Sequence, residues 1–228
     1  QIFLISFVGS TLQYGMTFTG LSMLDASLAI IIIHLEVPFS VLLAAIVLKD
    51  KPGIQRILGM LISFAGIVLI AGQPSLSGQL YAILLTAAGA MMWAVGQVMV
   101  KRLKNPPSGF ALTAWIGVFS GPQMILGSFI FEDSQFESLA NASWIGWGVI
   151  LYLALIMTVL GYGIWYRVLS RNPVSKVMPV MLLLPVFTIA SSMLFLGEQP
   201  STMIFVGAAV VIGGVSMIVI TKDSKLAS

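Results

Sequence analysis

The sequence is short of almost everything a water-facing surface needs. Only 8% of its 228 residues are Asp, Glu, Lys or Arg, against about 25% in an ordinary soluble domain. There is no cysteine, which excludes disulfides and thiolate metal sites and leaves the redox compartment undetermined. One histidine in the whole chain leaves too few ligands for a catalytic zinc centre. No G-x-x-x-x-G-K-[ST] phosphate loop occurs, so ATP drive within the chain is not expected. No signal peptide opens the sequence: "QIFLISFVGS" lacks a Met and a basic n-region and reads as the interior of a longer chain. What is present is apolar. Hydrophobic residues make up 58% of the sequence and the mean hydropathy is +1.04. The class is an all-α, polytopic integral membrane protein.

Windows of about 20 apolar residues bounded by turn clusters predict eight transmembrane helices, at 2–24, 26–48, 53–71, 78–100, 109–131, 143–170, 173–196 and 202–221. The breaks are "KDKPG", "GQPSLSG", "KNPPSG", "EDSQFES", "RNP" and "GEQPS", with Asp25 marking the tightest turn. Charge tests this division independently. One set of alternate connections carries Lys49, Lys51 and Arg56, then Lys101, Arg102 and Lys104, then Arg167, Arg171 and Lys176, then Lys222 and Lys225, which is all 11 basic residues. The opposite set carries Asp25, Glu132, Asp133, Glu137 and Glu198 and no basic residue. The positive-inside rule makes the basic side, with the C-terminus, cytoplasmic. The expected location is the cell (inner) membrane, multi-pass, with residues 222–228 as a cytoplasmic tail.

An internal repeat accompanies this pattern. An ungapped offset of 148 matches Leu12 with Leu160, Tyr14 with Tyr162, Gly15 with Gly163, Ser27 with Ser175, Pro52 with Pro200, Gly59 with Gly207 and Gly66 with Gly214. The first three helices thus correspond to the last three. The shift is five helices, an odd number, so the two copies lie in opposite orientations, as in many secondary transporters. Helices four and five have no partner after residue 1. Two further helices, about 70 residues at some 20 per span plus connections, are therefore expected upstream of Gln1.

The stretch 150–201, with "YLA", "GYGIW", "LLLPVFTIAS" and a small loop containing Glu198, resembles the second repeat of EamA-type members of the drug/metabolite transporter (DMT) superfamily. "MMWAVGQVMVKRL" at 91–103 is similar to that family's sixth helix. The resemblance covers essentially the whole chain. It implies an inverted five-plus-five repeat lacking its first two helices. Residues 1–72 would be the last three helices of the first repeat, and 78–221 the second repeat of five.

Polar residues at helical spacing on apolar helices mark a candidate cavity. In the first helix Ser6, Ser10, Gln13 and Thr17 form one stripe beside Tyr14; helix four offers Thr86, Trp93 and Gln97, and helix six Thr158, Tyr162 and Trp165. The same groups also suit interhelical hydrogen bonds. The resemblance implies that these helices line a central cavity, and the substrate candidates are Gln13, Tyr14, Thr17, Glu36, Trp93, Gln97, Tyr162 and Trp165. His34 and Glu36 interrupt "IIIIHLEVPFS", where a charged side chain costs about 2.5–3.5 kcal/mol on insertion scales. Two positions apart, they lie about 200° apart around a helix. Glu36 is the first candidate for proton coupling. His34 is the second, and by itself reads as a neutral packing residue. Pro38 cannot donate to the carbonyl of residue 34, which leaves that oxygen free and bends the helix. Pro38, Pro179 and Pro185 are the hinge candidates.

The function expected is a secondary exporter of small metabolites, such as amino acids or their derivatives, by alternating access. A broad-specificity drug exporter is one alternative and a non-transporting membrane sensor or subunit another. One His and one carboxylate on opposite faces do not supply a catalytic constellation, so an enzyme is not expected. No cofactor, metal or nucleic-acid partner is called for. The expected partners are a small-molecule substrate, the lipid bilayer and protons as coupling ion.

Overall fold

In the computed structural model, residues 1–24, 26–50, 52–71, 79–133, 135–196 and 201–220 are described. Asp25, Lys51, Glu198, Lys222, Lys225 and the tail 222–228 lie outside the described residues. All regular structure among the described residues is helical. The helices are α1 (Ile2–Leu21), α2 (Ala26–Ile33), α3 (Glu36–Val47), α4 (Ile54–Ala71), α5 (Leu80–Lys101), α6 (Gly109–Phe131), the short α7 (Gln135–Ala140), α8 (Trp144–Arg171), α9 (Val174–Phe195) and α10 (Thr202–Ile220). Five of them, α1, α5, α6, α8 and α9, are long and apolar enough to cross a membrane. The segments Ile31–Val47, Ile54–Ile70 and Thr202–Ile218 are apolar but shorter.

Local chemistry sets the ends. Ser108 and Ser143, each just ahead of a helix, accept from the backbone N–H of Ala111 at 3.3 Å and of Gly146 at 3.0 Å, satisfying donors that a helix start leaves open. α3 ends in a turn at Lys49, whose φ of 57° is left-handed, and the Asp50 N–H folds back to the Ala44 carbonyl at 3.2 Å. Pro38 interrupts the ladder between α2 and α3, as expected, but the freed carbonyl finds another donor. His34 O accepts from Val37 N at 3.2 Å, and Leu35 N donates to Ile32 O at 3.2 Å. The chain thus turns tightly at His34–Leu35, and the His34 oxygen is not left open. In α9, Pro179 sits at the start of a 3-10 segment, Met178–Leu183, and Pro185 follows it.

Among the described residues three helices widen into π-helical turns, Phe7–Leu12 in α1, Leu153–Tyr162 in α8 and Ser192–Leu196 at the end of α9. Such turns arise where an extra residue is accommodated, and they recur at functional sites. Adding 148 carries 7–12 onto 155–160, inside the second segment.

Small residues zip the helices together, as is usual in membranes. α1 and α5 run antiparallel, with Gly9 against Gly96, Thr17 against Gly89 and Gly20 against Thr86. A Cβ placed on Gly96 would stand 2.6 Å from the Cα of Gly9. α4 and α10 meet the same way: Gly59 faces the Gly214 carbonyl, Gly66 faces that of Gly207, and Ser63 Oγ donates to Val211 O at 3.2 Å.

The buried core is concentrated toward the end of the molecule that bears Lys49, Arg56, Lys101 and Arg171. It is built from Val37, Val41 and Ala44 of α3, Val98 and Val100 of α5, Leu112 of α6, Leu169 of α8, and Val174, Met178 and Leu182 of α9. At the other end, the stretch of α8 from Trp144 to Tyr152 buries no residue.

Candidate functional site

A cavity of about 510 Å³ lies between α1, α6 and α8. The widened turns of α1 and α8 form two of its walls, through Gly9 and Ser10 on one side and Leu153, Met157, Thr158 and Tyr162 on the other. α6 supplies the third wall with Thr113, Ile116, Gly117, Ser120 and Met124. One polar clasp pins the α1 turn to α6: Thr11 Oγ1 donates to Gln123 Oε1 at 2.6 Å, and Gln123 Nε2 donates to Ser6 Oγ at 3.3 Å.

Tyr14 and Tyr162, both expected at the site, face the cavity, and their hydroxyls approach to 3.4 Å. They are residues that the 148 offset equates. Tyr14 stacks on Phe18 with centroids 5.6 Å apart, and Tyr162 packs on Tyr166 at 5.8 Å. Among the described residues lining the cavity none is Asp, Glu, Lys, Arg or His. Hydroxyls provide the polar contacts, and Met, Phe, Ile and Leu the rest. Such a lining suits a small amphipathic solute whose hydrogen-bonding groups meet hydroxyls and whose apolar part lies on soft side chains.

The other expected residues sit behind this wall. Gln13 and Thr17 are buried on the α1 face turned to α5, where Gln13 Nε2 donates to Thr17 Oγ1 at 3.3 Å. Trp93, Gln97 and Trp165 form one cluster. Trp165 Nε1 donates to Gln97 Oε1 at 2.9 Å, and the two indoles lie 6.1 Å apart, tilted by 36°. Gln97 also bonds the side chain of the cavity residue Tyr166, so this cluster backs the lining. The other side of Trp165 faces a second cavity of about 420 Å³ between α8 and the start of α9. Glu36 is buried, outside the lining, and close enough to Tyr162 to interact with it electrostatically. His34 is buried as well.

The α6 wall was not anticipated. Its signal was available, because Thr113, Gly117, Ser120 and Met124 fall at i, i+4, i+7 and i+11, the same small and polar stripe that marks α1. Tyr166, one helical turn beyond Tyr162, and Met157, next to Thr158, were missed too.

Comparison with known proteins fits this architecture. The model of the EamA-like transporter family matches residues 1–72 and 80–220. The chain is 30% identical over 211 residues to a protein of Salmonella typhimurium named "Probable amino-acid metabolite efflux pump", covering 89% of this chain and 70% of that protein. A protein of the same name from Escherichia coli K12 is 28% identical over the same shares. An uncharacterized transporter of Archaeoglobus fulgidus is 26% identical, covering 91% of this chain and 71% of its own. A solved crystal structure at 18% identity superimposes with a TM-score of 0.83, over 95% of this chain and 75% of its own, a likeness of fold. The chain is a multi-pass membrane transporter of the DMT type rather than an enzyme, acting on a small-molecule substrate in a lipid bilayer, and it belongs to the EamA-like transporter family.

Proposed function

We propose that the chain belongs to a secondary exporter of small metabolites, amino acids or their derivatives, which moves them by alternating access through the cavity between α1, α6 and α8. The observation that carries this reading is the cavity itself, an uncharged, hydroxyl-lined space walled by two repeat-related π turns whose tyrosines, Tyr14 and Tyr162, meet across it. The names of the Salmonella and Escherichia relatives support the substrate class.

The eight-span, five-plus-five architecture is part of the proposal. Its support is the α4–α10 contact, where residue pairs exchange under the offset. Gly59 meets Gly214, the equivalent of Gly66, while Gly66 meets Gly207, the equivalent of Gly59. A two-fold axis between inverted copies produces such an exchange. Residues 1–72 and 78–221 are then the two repeat portions, with the basic face and C-terminus toward the cytoplasm of an inner membrane. Tyr14 and Tyr162 contact substrate. Gln13, Thr17, Trp93, Gln97 and Trp165 shape the wall. Glu36, buried beside Tyr162, carries the coupling proton, with His34, two positions before it, as the second candidate. The breaks at Pro38, Pro179 and Pro185 let the repeats rock.

A broad-specificity drug exporter is the second reading, favoured by Phe18, Met124 and Met157 in the lining. Efflux from cells expressing the full-length protein separates the two. The cells are preloaded with labelled amino acids, their derivatives and cationic dyes, with the proton gradient intact or collapsed, in wild type and Glu36→Gln. Accelerated efflux of amino-acid derivatives, lost in Glu36→Gln only when a gradient is present, is the expected result. Dye efflux alone overturns the substrate class. Gradient-independent efflux, unchanged in the variant, removes Glu36 from coupling.

A further inference from the structure

A group of charged side chains at the basic end takes no part in the cavity. Lys101, at the end of α5, donates to three backbone carbonyls where α8 finishes: Leu169 O at 2.8 Å, Ser170 O at 3.1 Å and Asn172 O at 2.7 Å. An ammonium has three donors, so all are spent on oxygens that a helix end leaves open. Beside it, Arg56 of α4 is buried and donates from Nη1 to Ser175 Oγ at 3.2 Å. The Ser175 N–H, at the start of α9, donates in turn to Asp50 Oδ2 at 3.0 Å. Asp50 also attracts Lys101, which links the two halves of the group.

These bonds lie over an apolar plug. Leu169, Val174, Met178 and Leu182 are buried against Val37 and Val41 of α3 directly inside them. The partners named here lie at helix ends: the last carbonyls of one helix, the first N–H of another, and a serine hydroxyl. Water can satisfy each of these named groups once the elements part, so opening avoids at these contacts the usual cost of leaving a polar group unpaired. A contact made only to keep the fold together needs no such reversibility.

We propose that Lys101, Arg56 and Asp50 form the gate that closes the basic-face mouth of the transport path, and that their release turns the cavity toward that face. The inference rests on the transport reading above. In the conformation described here the gate is shut. Lys101 fastens α5 to α8. Asp50 and Arg56 fasten the α3–α4 turn and α4 to α9. Loss of either fastening shifts the equilibrium toward opening on the basic face.

The absence of cysteine makes the test clean. A single thiol at Gly117, which lines the cavity and has open space around its Cβ position, is labelled with a membrane-impermeant maleimide. The full-length protein is used in vesicles of known orientation, so that each face is probed separately. With Lys101→Ala, labelling from the basic face rises about tenfold, equivalent to about 1.4 kcal/mol in the equilibrium between the two faces, and labelling from the opposite face falls. Lys101→Arg, which keeps donors in place, stays near the parent rate. If Lys101→Ala does not fold, Asp50→Asn, which keeps size and loses charge, is read instead with the same expected direction. Unchanged labelling from the basic face in a folded variant overturns the gate. Transport is measured separately: a wild type that exports nothing while the labelling still switches removes the transport reading and leaves the gate.

Discussion

Replacement of Gly96 by alanine tests whether α1 and α5 pack backbone to backbone beside the cavity. The added methyl would lie 2.6 Å from the Cα of Gly9, whereas carbon atoms rest at about 3.5–4.0 Å. The obstacle is main chain and cannot rotate away, so the helices must separate by about 1 Å at that point. Overpacking of this kind costs about 1–3 kcal/mol. A glycine-to-alanine change in a helix also returns about 0.5–1 kcal/mol of backbone entropy, so the fitting control is a second glycine with no neighbour. Gly213 in α10 has nothing within 4 Å of its Cβ position. Gly213→Ala and Gly96→Ala share the entropy gain, and the difference between them isolates the clash. In thermal unfolding of the detergent-solubilised protein, Gly96→Ala is expected to melt below Gly213→Ala by about 2–4 °C for each kcal/mol. Equal melting temperatures for the two would refute the close crossing, and with it the position of the Gly9 wall of the cavity.

Two further outcomes follow from the same geometry. Trp165→Phe removes the donor to Gln97 Oε1, in a residue only 2% exposed, and should destabilise by about 1–3 kcal/mol. Gln97→Leu in the Trp165→Phe background should then add only the cost of its remaining bond to Tyr166, less than Gln97→Leu costs alone, which a double-mutant melting series checks. Tyr14→Phe and Tyr162→Phe each break the hydroxyl contact of 3.4 Å. Each should raise the KM for efflux, and the double variant should be no worse than the weaker single one, as initial-rate measurements in vesicles would show.

The five long apolar helices were legible because apolar runs and turn clusters are written in composition. The α8 span, expected at 143–170, lies at Trp144–Arg171, bounded by the serine cap and the Asn172–Pro173 break. The interruption at His34–Leu35 was legible from Pro38, whereas the donor that satisfies the His34 carbonyl was not, because it depends on local φ and ψ that proline does not dictate. Which face of α1 looks into the cavity was also hidden. Gln13 and Tyr14 differ by about 100° around the helix, and Gly89 and Gly96 on α5 decide that the Gln13 face is the packed one. The π turns carry no residue signature of their own. They are a response to packing, and appear in the sequence only as the correspondence between 7–12 and 155–160. The Lys101–Asp50–Arg56 group was visible only as charge on one side of the membrane, since the partners named for it are backbone atoms and one serine hydroxyl.

The claim at the centre of this account is that substrate passes through the space between α1, α6 and α8. Gly117 lines that space with nothing within 4 Å of its Cβ position, so Gly117→Phe should fill the cavity while leaving the helix contacts intact. Efflux of amino-acid derivatives from preloaded cells, with wild type and Gly117→Phe at matched membrane levels and matched melting temperatures, measures the claim directly. The account predicts accelerated efflux in wild type and its loss in Gly117→Phe. Undiminished efflux through the filled cavity would contradict it.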